Sequence, residues 1–163
     1  MAWAIAEFDG RRNICPLSWQ MIVSKRPPMM AICLKPSRYS HNLIVNAGEF
    51  VLAWPGDNLA DITLELGNST GCDVDKFTAN KLTTMEGEFV RTPLIRECIA
   101  NLECSLVKQI TTGDHTMFIA QVMAVWVNQN PQRPLCLVND YAGYDQLGEK
   151  GGYRVGAVRK RLR

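Results

Sequence analysis

Long apolar runs are missing from this chain of 163 residues, and so is the pattern of a cleaved leader. A helix that spans a bilayer needs about 20 consecutive apolar residues, and no stretch of the sequence is that long. The first residues also lack the basic, apolar and small-residue order of a signal peptide. We therefore expect a cytoplasmic protein with no membrane contact.

Cysteine pairs and a surplus of charge are missing as well. The six cysteines are scattered without a Cys-x-x-Cys pair, which argues against a metal site and against a redox dithiol, and we expect reduced thiols. The net charge of +2 leaves no electrostatic footprint for nucleic acid. The one basic cluster, residues 159–163, is interpreted as a solvated tail, with an anionic partner as the alternative.

The length and composition that remain fit a single domain over residues 1–163. A chain of this length with 47% hydrophobic residues can bury a real core but is too short for two ordinary domains. Several short apolar segments are separated by turn residues, and few segments have helical spacing. Their order predicts a mainly β, antiparallel fold, a closed or partly closed barrel with inserted helices.

The segment from Cys33 to His41 has the composition of a phosphate-binding loop. It lies between an apolar run at residues 29–34, predicted as a buried strand, and a stretch with helical spacing that ends at Gly48. Ser40 is the predicted N-cap of that helix. A helix start favours an anion because it offers unpaired N–H groups and the positive end of the dipole.

Charged and hydroxyl side chains in this loop support the same interpretation. Lys35 and Arg38 add positive charge, and Ser37 and Ser40 add neutral donors. An ordinary solvated turn with two basic residues is an equally good explanation of the loop taken alone.

The remaining segments complete the predicted barrel. Residues 13–23 are predicted as a strand broken by Pro16, which suggests an edge, a bulge or a nearby ligand. A helix is predicted from a cap at Asp57 to Gly67, and two long strands, 99–110 and 117–127, form a hairpin through a Gly-Asp turn. Both faces of 117–127 are apolar, which predicts cover on both sides. The glycine-rich residues 143–152 are predicted as a loop, after a short strand at 135–138.

Six stretches, taken together, resemble the flavin reductase-like proteins with an FMN-binding split barrel, and among them the flavoredoxin group. Their order and spacing carry the resemblance, which extends from about residue 2 to residue 127. The stretches are Asn13–Trp19, Ser24–Pro28, Cys33–His41, Gly48–Val51, Ser69–Phe77 and Gly113–Thr116.

The resemblance implies FMN bound at a homodimer interface. The FMN phosphate would lie in the loop Cys33–His41, and the flavin ring would lie against the strand at residues 13–18. His115, in the hairpin turn, corresponds to a family histidine on the open face of the pocket and is the residue implied in catalysis. Cys15 is also interpretable as a small buried apolar residue, Lys76 as a surface lysine, and His41 as a phosphate donor or a helix cap. The implied cofactor-binding residues are Asn13, Ile14, Cys15, Pro16, Ser18, Leu34, Lys35, Ser37, Arg38, Ser40, His41, Lys76 and Phe77.

The function implied by the resemblance is an NAD(P)H-dependent flavin reductase or a flavoredoxin-like oxidoreductase, in which flavin accepts hydride from nicotinamide. A second hypothesis is an FMN-binding electron carrier that a partner protein reduces. A third is a flavin-free binding module on the same barrel. Two departures from the family stand out: the chain starts almost within its first strand, and Arg38 replaces the usual small hydroxyl residue.

Overall fold

The computed structural model describes residues 1–130, 132–138 and 144–159, which form mainly antiparallel β-structure with three short α-helices. No helix in these parts of the chain is both long and apolar enough to cross a bilayer. The strands are β1 (Ala2–Phe8), β2 (Arg11–Leu17), β3 (Gln20–Lys25), β4 (Pro28–Leu34), β5 (Glu49–Trp54), β6 (Thr84–Met85), β7 (Leu94–Ile95), β8 (Ala100–Thr112), β9 (His115–Val127), β10 (Cys136–Leu137), β11 (Tyr144–Lys150) and β12 (Tyr153–Val158), and the helices are α1 (Tyr39–Ala47), α2 (Ala60–Asn68) and α3 (Lys76–Ala79).

The main sheet has seven strands in the order β2-β1-β5-β8-β9-β4-β3, and its connectivity forces it to curl. Its two edge strands, β2 and β3, are joined only by Ser18 and Trp19. The edges must therefore meet at this corner, where Trp19 O accepts a hydrogen bond of 3.1 Å from Cys33 N at the end of β4. The result is the predicted antiparallel barrel, closed at one corner and split along the rest of its edge.

Strand β1 is buried on both faces, and this divides the core into two parts. Its alanines, Ala2, Ala4 and Ala6, face the barrel interior, where small side chains leave room for Phe50 and Phe118. Its other face packs Trp3 and Ile5 under α2 and α3. A strand covered on both faces is a continuous apolar run, as the sequence of β1 shows.

Four sequence-based predictions are corrected by the structure. The break in residues 13–23 falls at Ser18–Trp19, because β2 runs through Pro16. Asp57 begins a 3₁₀ turn to Leu59, and α2 follows and continues through Gly67 to Asn68. The glycine-rich segment forms the hairpin β11–β12, with Gly151 and Gly152 at positive φ in its turn, whereas Gly143 lies outside the described residues.

The fourth correction concerns β9. The β8–β9 hairpin is confirmed, but the described residues fully cover only one face of β9. Val125 and Val127 are 56% and 67% exposed, and Met123 and Trp126 are exposed beside them. Residues 123–127, the outer half of β9, therefore form an apolar surface that the described parts of the chain leave largely uncovered.

The small sheet β10-β12-β11 packs on α2 and is fixed by Arg133. The guanidinium donates to Asp57 Oδ2 at 2.6 Å and also contacts Asp145 on β11. Arg159, predicted to be solvated, donates to Tyr144 O at 2.9 Å, and the rest of the basic tail lies outside the described residues. This anchoring positions β12 over the end of α2.

Candidate functional site

The predicted phosphate loop does connect a strand to a helix start, but its cap differs from the prediction. Helix α1 begins at Tyr39, and Arg38 occupies the N-cap position with no side-chain cap bond. Ser40 is therefore inside the first turn, where its hydroxyl is fully buried and accepts from Asn13 Nδ2 at 2.9 Å. The first turn carries no acidic residue, so no carboxylate of that turn competes with an anion for its N–H groups.

A cavity of about 690 Å³ opens at this helix start and at the barrel corner. Ten of the residues predicted for the site line it, drawn from β2, the loop after β4, the start of α3 and the β8–β9 turn. They are Asn13, Cys15, Pro16, Ser18, Leu34, Lys35, Ser37, Arg38, Lys76 and His115.

The other four predicted residues lie beside the cavity and do not line it. Ile14 and Phe77 are buried in the core beneath α2 and α3. His41 Nε2 is 2.8 Å from Thr116 Oγ1, and its ring packs edge-on against Phe118. Ser40 supports Asn13, as described above. Their places in the structure are those of supporting residues.

Lys76 is buried, not on the surface, and it contacts the free edge of β2. Its ammonium donates to Ile14 O at 2.9 Å and to Leu66 O at 2.7 Å. Because Ile14 directs its carbonyl away from β1, Pro16, two residues further, also turns its backbone outward and no ladder bond is lost there. Burial lowers the pKa of the Lys76 ammonium, an effect that the nearby Cys15 opposes and Arg38 reinforces.

The start of α3 is fixed by Arg12, which places Lys76. Arg12 donates to Asp75 Oδ2 at 2.8 Å and lies 4.3 Å from the centroid of the Phe77 ring. This bond from Arg12 is the main cause that lowers the Asp75 pKa to about 2. Asp75 also caps α3 by accepting from Phe77 N at 3.1 Å.

Cys15 also lines the cavity and lies within the field of the basic residues. Burial raises the pKa of its thiol, against the opposing charges of Lys76 and Arg38. The thiol is therefore protonated at neutral pH and acts as a small apolar group.

The turn of the β8–β9 hairpin lies at the mouth of the cavity. His115 Nδ1 is 2.7 Å from Asp114 Oδ1, and Asp114 Oδ2 is 3.1 Å from Lys35 Nζ. The Trp19 ring lies 4.5 Å from the His115 ring, centroid to centroid, at an angle of 32°. The bond with His115, followed by that with Lys35, lowers the pKa of the Asp114 carboxyl.

Several lining residues were not predicted from the sequence. Trp19 and Asp114 lie within the resembling stretches Asn13–Trp19 and Gly113–Thr116, next to the predicted site residues Ser18 and His115. The resemblance was therefore sufficient to identify them. Tyr153 and Val155 come from β12, which follows the predicted loop 143–152 and has no predicted strand, and the packing of β12 against α2 brings them to the cavity. Residues 67–71 spell Gly-x-Ser-x-Gly, but they begin in the last turn of α2 and do not connect a strand to a helix, so they form no nucleophile elbow.

Within the described ranges, no three His, Cys, Asp or Glu side chains are grouped as a metal site. The side chains that line the cavity supply cations, hydroxyls, amides, aromatic rings, two thiols and the Asp114 carboxylate. The cations and the rings can bind and orient an anionic, planar molecule.

Comparison with known proteins assigns the chain to a family. A profile of the flavin reductase like domain matches residues 1–148. An uncharacterised protein of Archaeoglobus fulgidus is 37% identical over 113 residues, 69% of this chain and 64% of that protein. The aligned region thus spans less than two thirds of the length of this relative.

Two solved structures share the fold over nearly the whole chain. Flavoredoxin from Methanosarcina acetivorans superposes with a TM-score of 0.82 at 23% identity, over 99% of this chain and 86% of that chain. An FMN-binding protein from Thermus thermophilus, solved with bound p-hydroxybenzaldehyde, gives a TM-score of 0.77 at 26% identity, over 99% and 88%. The profile match and the shared split barrel show that the chain belongs to the flavin reductase-like family.

Proposed function

We propose that the protein binds FMN in this cavity and acts as an NAD(P)H-dependent flavin reductase or flavoredoxin-like oxidoreductase, passing electrons onward from the reduced flavin. The main support is one arrangement: the cavity joins a basic helix start to a strand edge whose backbone faces outward. The basic helix start suits a phosphate, and the outward-facing strand edge suits a flat ring. The family and the FMN-binding relative support the same choice of cofactor.

The cavity fits FMN in size and in donor chemistry. Its volume of about 690 Å³ lies within the range of about 300–1,000 Å³ typical of small-molecule sites. Asn13 Oδ1 is buried next to the turn at Gly71 with no hydrogen-bond partner among the described residues, so an acceptor is available for a ligand hydroxyl. The positive groups Lys35, Arg38 and Lys76 match a phosphate and the negative charge of a reduced ring.

In the proposed reaction the bound flavin supplies the redox chemistry, and the protein binds, orients and shields. Arg38, with Ser37 and the first turn of α1, holds the phosphate at one end. Lys76 places a positive charge beneath β2, where it favours negative charge on the ring. Trp19 and His115 form the rim against which a second planar ring, that of nicotinamide, would lie.

The absorption spectrum of the purified protein, before and after anaerobic NADH or NADPH, tests this proposal. We expect a yellow protein, or a flavin spectrum on addition of FMN, that bleaches with one of the nicotinamides. Bound flavin that bleaches only with a reduced partner protein would favour the electron carrier. A protein that stays colourless and does not take up FMN would favour the flavin-free module.

We expect His115→Ala to slow anaerobic reduction by NAD(P)H by about 10-fold, the scale of one lost oriented contact. The ring stands at the mouth of the cavity, packed on Trp19, so its loss should affect the second substrate more than FMN. Stopped-flow reduction and FMN titration of the same variant measure the two effects. Loss of FMN with normal reduction of the remaining holoprotein would place His115 in the FMN site.

We also expect a homodimer that covers the outer half of β9. Val125→Glu adds a charge to this apolar surface and should give a monomer of about 18.3 kDa, while the unchanged chain has twice that mass. Val158→Glu, at an equally exposed valine on β12, is the matched control and should stay dimeric. Light scattering distinguishes them, and a wild-type holoprotein that is monomeric would refute the dimer.

A further inference from the structure

Asp114 connects two parts of the cavity mouth through separate oxygens. Its Oδ2 is 3.1 Å from Lys35 Nζ, on the loop after β4, and its Oδ1 is 2.7 Å from His115 Nδ1. The carboxylate itself is largely exposed, at 72% for the side chain, so no buried core depends on it. One carboxylate thus joins the basic loop to the histidine at the rim.

Lys35 has a second possible partner, since it lines the cavity beside Ser37 and Arg38. An ion pair between exposed groups such as Lys35 and Asp114 is weak. A dianion at the helix start competes well for the ammonium, because it has twice the charge and also engages Arg38 and the free N–H groups of α1. Occupation of the loop by an anion therefore draws Lys35 from Asp114.

The charged surroundings of His115 are simple. Asp114 contacts its Nδ1 from the hairpin turn, and Lys35, at the end of β4, pairs with the same carboxylate. Trp19 packs on the ring from the barrel corner and brings no charge, while Arg38 and Lys76 line the same cavity. None of the residues described in the structure hydrogen-bonds to Nε2 of His115. The Asp114 charge felt by the ring thus depends on how far Lys35 neutralises it.

We propose that Asp114 couples anion binding in the basic loop to protonation of His115. An anion that takes Lys35 leaves the Asp114 charge to the imidazole, which then takes up a proton from solvent more readily. The proposal rests on the proposed function in treating this loop as the FMN phosphate site. Its consequence there is that loading of the site increases the share of the cationic ring that meets the anionic dinucleotide.

NMR titration of the histidines with sulfate tests the coupling without flavin. Sulfate stays a dianion over the pH range of the titration, and the chain has only two histidines, which keeps the spectrum simple. We expect saturating sulfate, compared with chloride at equal ionic strength, to raise the midpoint of the His115 titration by about 0.3–0.7 pH unit. By reciprocity, sulfate should bind about 2- to 5-fold more tightly below the midpoint than above it.

Two variants separate the coupling from the direct field of the anion. Asp114→Asn should lose most of the sulfate-dependent rise, and Lys35→Met should show a raised midpoint before sulfate is added. An unchanged midpoint in the wild type, or an equal rise in Asp114→Asn, would overturn the proposal. A separate FMN titration tests the proposed function. If FMN binds but sulfate does not shift the His115 midpoint, only the coupling through Asp114 is refuted. If sulfate shifts the midpoint but FMN does not bind, only the proposed function is refuted.

Discussion

Arg38→Ala should weaken FMN binding by about 1.5–3 kcal/mol, or about 10- to 150-fold in Kd. Arg38 occupies the N-cap position of α1, where no side chain caps the helix, and it lines the cavity. Its guanidinium can hold a phosphate through two parallel bonds while the helix start contributes its N–H groups. Quenching of flavin fluorescence on titration measures the loss.

Riboflavin, which lacks the phosphate, is the internal control for this prediction. Its affinity should change little in Arg38→Ala, and Arg38→Lys should recover part of the FMN affinity as a point charge. Arg96→Ala, at an exposed arginine that does not line the cavity, should leave both ligands unaffected. Equal losses for FMN and riboflavin would show that Arg38 does not bind the phosphate.

Glu103→Ala should lower the free energy of unfolding by about 3–4 kcal/mol. The Glu103 carboxylate is fully buried and accepts from the backbone N–H groups of Glu88, Phe89 and Val90, at 2.6–3.0 Å, and from Trp126 Nε1 at 2.6 Å. Removal leaves several donors unpaired at once. Urea unfolding measures the change, and Glu97→Ala, which removes an acceptor for the single N–H of Thr83, should cost about 1 kcal/mol.

The stability contributed by Glu103 should depend on pH in a defined direction. Burial alone would raise the pKa of its carboxyl, but the bonds from Glu88, Trp126, Phe89 and Val90 outweigh burial and lower it. The contribution is therefore present above the ordinary glutamate pKa of about 4.3 and is lost as the pH falls through the lowered value. The difference between wild type and Glu103→Ala should narrow at acid pH, and a constant difference would contradict this assignment.

The sequence predicts the barrel well where local patterns and tertiary structure agree. The β8–β9 hairpin and the strand before the basic loop follow from alternation and turn residues. The β11–β12 hairpin was not predicted, because its glycines read as a loop and only its packing on α2 and the Arg133 anchor make it a strand pair. The pairing of β2 with β1 explains why the strand tolerates Pro16, because the backbone of this residue turns away from β1. Sequence periodicity alone does not reveal this pairing.

The sequence predicts most of the residues that line the cavity, but not the hydrogen bonds that these residues form with one another. Most residues taken from the resembling stretches do line one cavity, because a ligand site assembled from several loops leaves its residues in recognisable motifs. The burial of Lys76 under β2 and the place of Ser40 behind Asn13 depend on the exact start of a helix. A shift of one residue at a helix start turns a side chain by about 100°, which a pattern with 3.6-residue spacing does not fix in advance.

The cavity takes its lining from both halves of the chain, and this bears on how the protein folds. Asn13 and Cys15 line it together with Tyr153 and Val155, and β4 pairs both with its neighbour β3 and with β9, which lies far along the chain. Contacts between residues so distant in sequence form slowly, and a chain growing on the ribosome lacks them until its last strands emerge. Loading of the proposed cofactor should therefore follow the synthesis of β12, so that the earlier strands form without the ligand.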